Sequence, residues 1–224
     1  MSRLADRLVA VVAEPTVAAC VEQFRRLPQQ ILTVEWRLDY LNELNYQAIS
    51  EAINLVSKEV IITLRSISEG GNYTNDGDED SRSQLLINLS NLMNVRYVDI
   101  DINNTEIIQL LPASKRLLSF HDFGYTPDNH ALMAIVDAAI RQDAAIIKLA
   151  CFVKDDIDIS NLFNLFSKYP QQKLAIIAMS EQDNSLRTDA LWQGSVLMFA
   201  ATGSSVAPGQ MSVDAMLEVI EKGE

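Results

Sequence analysis

A lysine in the middle of an apolar run is the first residue that asks for chemistry. Lys148 lies in Ala144-Ala145-Ile146-Ile147-Lys148-Leu149-Ala150-Cys151-Phe152. Lysine is almost never fully buried unless paired. Burial lowers a lysine pKa, and a neutral amine attacks carbonyl carbon. Lys148 therefore reads either as a Schiff-base nucleophile or as a lysine that snorkels to solvent from a strand end. His121, in Phe120-His121-Asp122-Phe123, sits where a strand gives way to a loop. Its near-neutral pKa suits proton transfer, and a structural hydrogen-bonding role is the alternative. His130, the other histidine, falls inside a helical segment and reads as structural or exposed.

Charged residues interrupt other apolar runs in the same way. In Leu32-Thr33-Val34-Glu35-Trp36-Arg37-Leu38-Asp39 the strand period puts Thr33, Glu35, Arg37 and Asp39 on one face. Arg65 follows Ile61-Ile62-Thr63-Leu64, and Asp99 and Asp101 alternate in a later strand. Arg187 brings a guanidinium, which matches a carboxylate through two hydrogen bonds. The preceding Met179-Ser180-Glu181-Gln182-Asp183 has no glycine and adds negative charge. Together these features favour a carboxylic acid over a phosphate as ligand. No H-E-x-x-H or similar spacing occurs, so no metal site is expected. The loop Gly70–Asp80 has an Asp/Gly spacing similar to a calcium loop, but no bidentate Glu at the right offset, and reads as solvated.

The elements that hold these residues follow from apolar spacing. Eight β-rich runs occur, at Leu8–Ala13, Ile31–Trp36, Val60–Leu64, Arg96–Asp101, Arg116–Phe120, Ala145–Ala150, Leu174–Met179 and Ser195–Ala200. Helical segments separate them, at Val17–Leu27, Tyr46–Ser57, Ser83–Met93, Glu106–Leu110, Pro127–Gln142, Ser160–Lys168, Ser185–Gln193 and Val213–Lys222. For the fifth helix, Thr126 reads as the cap, Pro127 as the first helical residue, and Asp128 as a favourable charge at the positive end. Strands alternating with helices imply parallel strands with helical crossovers. Eight such units in 224 residues suggest an α/β fold, a (β/α)8 TIM barrel forming one catalytic domain over residues 1–224. A doubly wound open sheet is the alternative, but no G-x-G-x-x-G or P-loop pattern accompanies it. In a barrel the charged faces point into the lumen, and polar groups from five strands converge on one rim, where barrel active sites lie.

Composition limits what such a site serves. Hydrophobic residues make 48% and charged residues 21% of the chain, with 8 Gly and 6 Pro, which excludes a disordered or collagen-like protein. Eighteen basic against 30 acidic residues give −12, which argues against nucleic acid and anionic membranes as partners. A few arginines focused in a cleft still accommodate a small anion. No apolar stretch approaches the roughly 18 to 20 residues of a membrane span. The N-terminus does not read as a signal peptide, and two cysteines build no disulfide framework, so the cytoplasm is the expected compartment.

These residues together resemble the type I 3-dehydroquinate dehydratases (type I dehydroquinases). The matches run in order along nearly the whole chain: Glu35-Trp36-Arg37-Leu38-Asp39, Thr63-Leu64-Arg65 with Glu69-Gly70-Gly71, and Ser119-Phe120-His121-Asp122-Phe123 with Thr126-Pro127. Lys148-Leu149-Ala150, Met179 with Arg187, and Ala207-Pro208-Gly209-Gln210 follow. The resemblance implies a (β/α)8 barrel that catalyses syn dehydration of 3-dehydroquinate to 3-dehydroshikimate, in the shikimate route to aromatic compounds. It implies Lys148 as imine-forming residue, His121 as proton carrier, and Glu69 as the carboxylate that orients His121. Glu35, Arg37 and Arg65 match positions that hold substrate hydroxyls, Arg187 the carboxylate grip, Met179 a ring contact, and Gln210 a lid residue. No cofactor or metal is implied, and a homodimer is. Some relatives are fused to a shikimate dehydrogenase; this chain ends soon after the eighth helical segment and reads as carrying one activity. Two positions depart from the family pattern. Val206 replaces a serine, leaving Ser204 or Ser205 to supply that hydroxyl, and Asp101 replaces a glutamate, which shortens a carboxylate near Lys148. A class I Schiff-base aldolase and a barrel that lost activity are the rival readings.

Overall fold

The apolar runs become strands because each alternates between two dry surfaces. In a computed structural model, which describes residues 4–74, 79–180 and 185–223, strands and helices alternate along the chain. They are β1 (Leu8–Val12), α1 (Val17–Arg26), β2 (Thr33–Arg37), α2 (Tyr46–Leu55), β3 (Glu59–Thr63), α3 (Glu79–Ser90), β4 (Val95–Asp101) and α4 (Thr105–Leu110). Then come β5 (Arg116–Asp122), α5 (Asn129–Arg141), β6 (Ile146–Phe152), α6 (Asp156–Lys168), β7 (Leu174–Met179), α7 (Ser185–Gln193), β8 (Met198–Ala201) and α8 (Val213–Gly223). The strands pair in parallel in the order β7-β6-β5-β4-β3-β2-β1-β8. The expected α/β barrel is therefore the observed fold.

One set of side chains on each strand packs outward on the helices. Val34, Trp36, Ile62, Leu118, Ile147, Leu149 and Ile176 meet Phe24, Ile53, Leu89, Val136 and Leu165 in this outer core. Trp36 and Phe24 pack edge to face, 5.2 Å between ring centres. The alternate set fills the lumen: Val9, Val11, Ile61, Tyr97, Leu117, Ile146, Ala175, Ile177 and Leu197 form an inner core. The polar residues stand in phase with this inner set, so they enter the lumen from β2 through β6.

The seam between β7 and β8 closes without a regular ladder. Val196 N–H donates to Leu174 O at 2.9 Å. The Ser195 hydroxyl accepts from Ile176 N–H at 3.0 Å and donates to Leu197 O at 2.9 Å. A side chain thus does a strand's work at Ser195, and β8 starts at Met198 rather than at Ser195 as the apolar run suggests. The fifth helix also starts later than expected. Thr126 donates its hydroxyl to Phe152 O at 2.9 Å, tying the loop to β6. Asp128 takes the cap instead, accepting from Ala131 N–H at 2.8 Å. Glu79 and Asp80 belong to the first turn of α3 rather than to the loop before it, where their charge suits the helix dipole. Residues 75–78 of that loop, and Glu181 and Asp183 after β7, lie outside the described residues.

Candidate active site

The polar lumen residues meet at the C-terminal end of the strands as a chain of charges. The Asp99 carboxylate on β4 is its centre. Oδ2 accepts from Lys148 Nζ at 2.8 Å, and Oδ1 accepts from Arg65 Nη2 at 2.5 Å and from the Ser119 hydroxyl at 2.6 Å. Glu35 lies on the other side of Lys148 at 3.7 Å and accepts the Thr63 hydroxyl at 2.8 Å. Lys148 Nζ also stands 4.2 Å from the centre of the Phe199 ring. Lys148 is thus paired and buried, not snorkelling. Burial works against the Asp99 charge, but Arg65 and Lys148 outweigh it and hold that carboxyl well below the usual range.

Arg65 Nη1 stands 3.0 Å from His121 Nδ1. A guanidinium has only donors, so Nδ1 accepts, and a neutral ring then carries its proton on Nε2. Burial, with Arg65 and Lys148 nearby, keeps the His121 pKa well below 6.5. The imidazole is therefore neutral at pH 7. Glu69, which the resemblance implies as the carboxylate that orients it, is engaged elsewhere. Its carboxylate accepts from Arg82 Nη2 at 3.0 and 3.2 Å and from Ser66 N–H at 3.3 Å. Among the described residues these are its hydrogen-bond donors, and His121 is not one of them. Glu69 and His121 share an open cleft of about 610 Å³ beside the lumen.

Glu35, Arg37, Arg65, His121, Lys148, Met179, Arg187 and Gln210 all line one cavity over the barrel mouth. Arg37 is held by Asp39 through Nε at 2.8 Å and Nη2 at 2.7 Å. Burial opposes its charge, yet the Asp39 pair leaves it above its ordinary pKa. Arg187 is different. It is 1% exposed, and no described carboxylate pairs with it. Its Nη2 donates to Pro208 O at 2.6 Å, and its Nε is buried without a partner. Burial brings its pKa down from 12.5 to about 10. An unpaired buried guanidinium edge is a receptor for an anion.

The loop after β8 roofs the cavity with Val206, Ala207 and Gln210. Gln210 Oε1 accepts from Val206 N–H at 2.9 Å, so the loop locks on itself. The cavity is only about 50 Å³, far below the roughly 300 Å³ of an ordinary ligand pocket. The roof must lift or shift to admit a ring. Ser205 donates to Ala207 O at 2.7 Å, and neither it nor Ser204 lines the cavity, so the hydroxyl absent at Val206 is not replaced. Asp101 does not loosen the Lys148 network, because it accepts from Asn103 N–H at 2.9 Å in the turn after β4. Among the described residues no three His, Cys, Asp or Glu side chains form a metal-ligand set.

Several lining residues have no chemical signature in the sequence. Phe199 and Ile177 look like ordinary strand residues, and only the barrel turns them toward Lys148. Phe123 stacks on His121 at 6.1 Å and seats on Gly70, where any Cβ would collide with its ring. Gly70 also takes a left-handed φ of 79°. Asp99 had a usable signal, an acid in phase with the lumen set, but its two partners come from other strands.

A parallel barrel whose C-terminal mouth holds a buried lysine, a neutral histidine and an unpaired guanidinium defines a (β/α)8 protein with an enzyme-like anion pocket. Known proteins narrow the class. The family described as Type I 3-dehydroquinase matches residues 8–222. A 3-dehydroquinate dehydratase of Methanococcus maripaludis is 32% identical over 197 residues, 84% of this chain and 86% of its own. The chain belongs to the type I 3-dehydroquinase family. Two solved 3-dehydroquinate dehydratases share the fold. That of Geobacillus kaustophilus has TM-score 0.84 and 22% identity, covering 97% of this chain and 90% of its own. That of Clostridium difficile has TM-score 0.85 and 20% identity, covering 97% and 91%.

Proposed function

We propose that the protein dehydrates 3-dehydroquinate to 3-dehydroshikimate through an imine on Lys148. The observation that carries this reading is the placement of Lys148, buried between Asp99 and Glu35 and sharing one cavity with His121 and Arg187. Lys148 attacks the substrate ketone as the free amine, and His121, in the same cavity, carries protons as the imine forms. Loss of water gives the imine, whose protonated form draws electrons from the adjacent carbon. His121, already neutral, takes the proton from that carbon. The electron pair forms the new double bond as the neighbouring hydroxyl leaves, and His121 returns the proton to it as water. Hydrolysis of the imine frees product and restores Lys148.

The Nδ1 lone pair of His121 is covered by Arg65. Ligand hydroxyls drawing Arg65 toward themselves would uncover it. Arg187 receives the carboxylate on its unpartnered Nε edge, and Met179 lies against the ring. The reading extends to a cytoplasmic homodimer on the shikimate route that uses no metal or organic cofactor. Among the described residues no helix is long and apolar enough to cross a membrane.

The test is intact mass and peptide mapping after mixing with 3-dehydroquinate and borohydride. A substrate-derived adduct on Lys148 is expected, and Lys148→Met should lose both adduct and turnover. Bound substrate without an adduct would refute the imine. Turnover that survives Lys148→Met would refute the mechanism.

A further inference from the structure

The N-terminal end of the barrel, opposite the mouth, holds a cationic cleft where three adjacent strands start. Lys58 precedes β3, Arg96 is the second residue of β4, and Lys115 stands shortly before Leu117 as the residue preceding β5. All three line one open cleft of about 430 Å³, a volume within the roughly 300–1,000 Å³ of ligand sites. Lys58 Nζ donates to Pro28 O at 3.2 Å and to Ile31 O at 2.5 Å. Lys115 Nζ donates to Ser90 O and Val95 O, each at 2.7 Å, and to Leu92 O at 3.4 Å. These carbonyls hold the half-buried ammonium groups in place but carry no net charge to balance them. Among the described residues Glu59 is the only acid lining the cleft. It stands 3.9 Å from Arg96, where both side chains are exposed. Arg96 also lies over the Tyr97 ring at 5.2 Å. Three cations against one carboxylate leave two positive charges uncompensated, on a chain whose net charge is −12. Burial lowers the pKa of Lys58, and burial together with Arg96 lowers that of Lys115. An anion in the cleft would supply the missing counter-charge.

We propose that this cleft binds a small phosphate-bearing anion between Lys58, Lys115 and Arg96. Lys58 uses two of its three N–H donors on carbonyls and keeps one for a ligand. Lys115 uses its donors on the backbone and contributes charge. A lysine acts on phosphate as a point charge, whereas a planar carboxylate is matched better by a guanidinium fork. Two uncompensated charges suit a doubly charged group, and the Ser57 and Ser114 hydroxyls add donors at the rim. The cleft shares no lining residue with the cavity that holds Lys148. The proposal is therefore independent of the dehydratase reading.

The probe is inorganic pyrophosphate, titrated into the whole protein by isothermal calorimetry at low ionic strength. One site per chain is expected, with an affinity that falls as salt is added. Lys58→Gln keeps a donor for the Pro28 and Ile31 carbonyls but removes the charge, and should weaken binding about tenfold. Arg96→Gln should weaken it about threefold, and Glu59→Gln should strengthen it by a similar factor. Both replace exposed side chains, so they report on the cleft even if Lys58→Gln fails to fold. Arg187→Met, in the other cavity, should leave the affinity unchanged. An affinity weaker than about 10 mM in the unaltered protein would overturn the proposal. So would binding that is indifferent to Lys58→Gln, Arg96→Gln and Glu59→Gln. Binding lost in Arg187→Met would place the anion in the barrel mouth and overturn it as well.

Discussion

Arg187 offers a prediction in which stability and binding move in opposite directions. Its guanidinium is buried, and its pKa is drawn down from 12.5 to about 10 by burial. A basic group with a lowered folded-state value binds its proton less tightly in the folded protein. Its cost is therefore present at neutral pH and relieved only as the pH rises above about 10. At 1.36 kcal/mol per unit, that cost is about 3 kcal/mol. Against it stands the bond to Pro208 O at 2.6 Å, and a bond from a charged donor contributes about 1.5–3 kcal/mol. Arg187→Met removes both terms and substitutes a side chain that suits an apolar pocket. Urea denaturation should then show a stability between unchanged and about 2 kcal/mol higher. Binding should suffer, because an anionic ligand loses a buried charged partner worth about 2–5 kcal/mol. KM for 3-dehydroquinate should rise about 30-fold or more. A variant destabilised by more than about 2 kcal/mol with an unchanged KM would refute this reasoning. Arg187 would then be an anchor for the lid and not the receptor for the carboxylate.

Three further perturbations follow from the same geometry. His121 has a lowered folded-state pKa, so the unfolded chain binds the proton first as the pH falls. Stability should drop below pH 6.5 with a His121 contribution of up to about 1.4 kcal/mol per unit, measured by urea melts against His121→Asn. Asp99→Asn leaves Arg65 and Lys148 without their shared counter-charge and should cost about 3–5 kcal/mol in the same assay; a loss below about 1 kcal/mol would show that the chain of charges is not centred on Asp99. Ser195→Ala leaves the buried Ile176 N–H without its acceptor at the barrel seam, which should cost about 1–3 kcal/mol and speed amide exchange at Ile176.

Much of this site can be read from the sequence, because strand periodicity assigns faces. Glu35, Arg37, Asp99 and Lys148 stand in phase with lumen residues, and each is found there. The expectation of a carboxylate rather than a phosphate at Arg187 follows from its residue type and the glycine-free, acidic loop before it. The readings that needed revision depend on competition between partners. Glu69 beside His121 in the sequence pattern is bound instead by Arg82, because a guanidinium with several free donors outcompetes a neutral ring for a carboxylate. Thr126 has the composition of a cap, yet a carbonyl of β6 takes its hydroxyl. Ser205 stands next to the missing serine, yet its loop turns it to Ala207 O.

Local sequence is enough for the barrel, the face each strand turns inward, and the charged groups available at the mouth. These are local properties, written in a period of two residues and in helical crossovers. Tertiary structure decided which charges meet. Lys148 and Asp99 are 49 positions apart, and Arg65 and Asp99 are 34 apart. Their contact depends on the stagger of neighbouring strands around the barrel, which places one carboxylate between two cations. Tertiary structure also decided the protonation of His121, since burial and the surrounding cations set it. A residue's type and phase say where it can point, while its charge state depends on every neighbour the fold brings within a few ångströms.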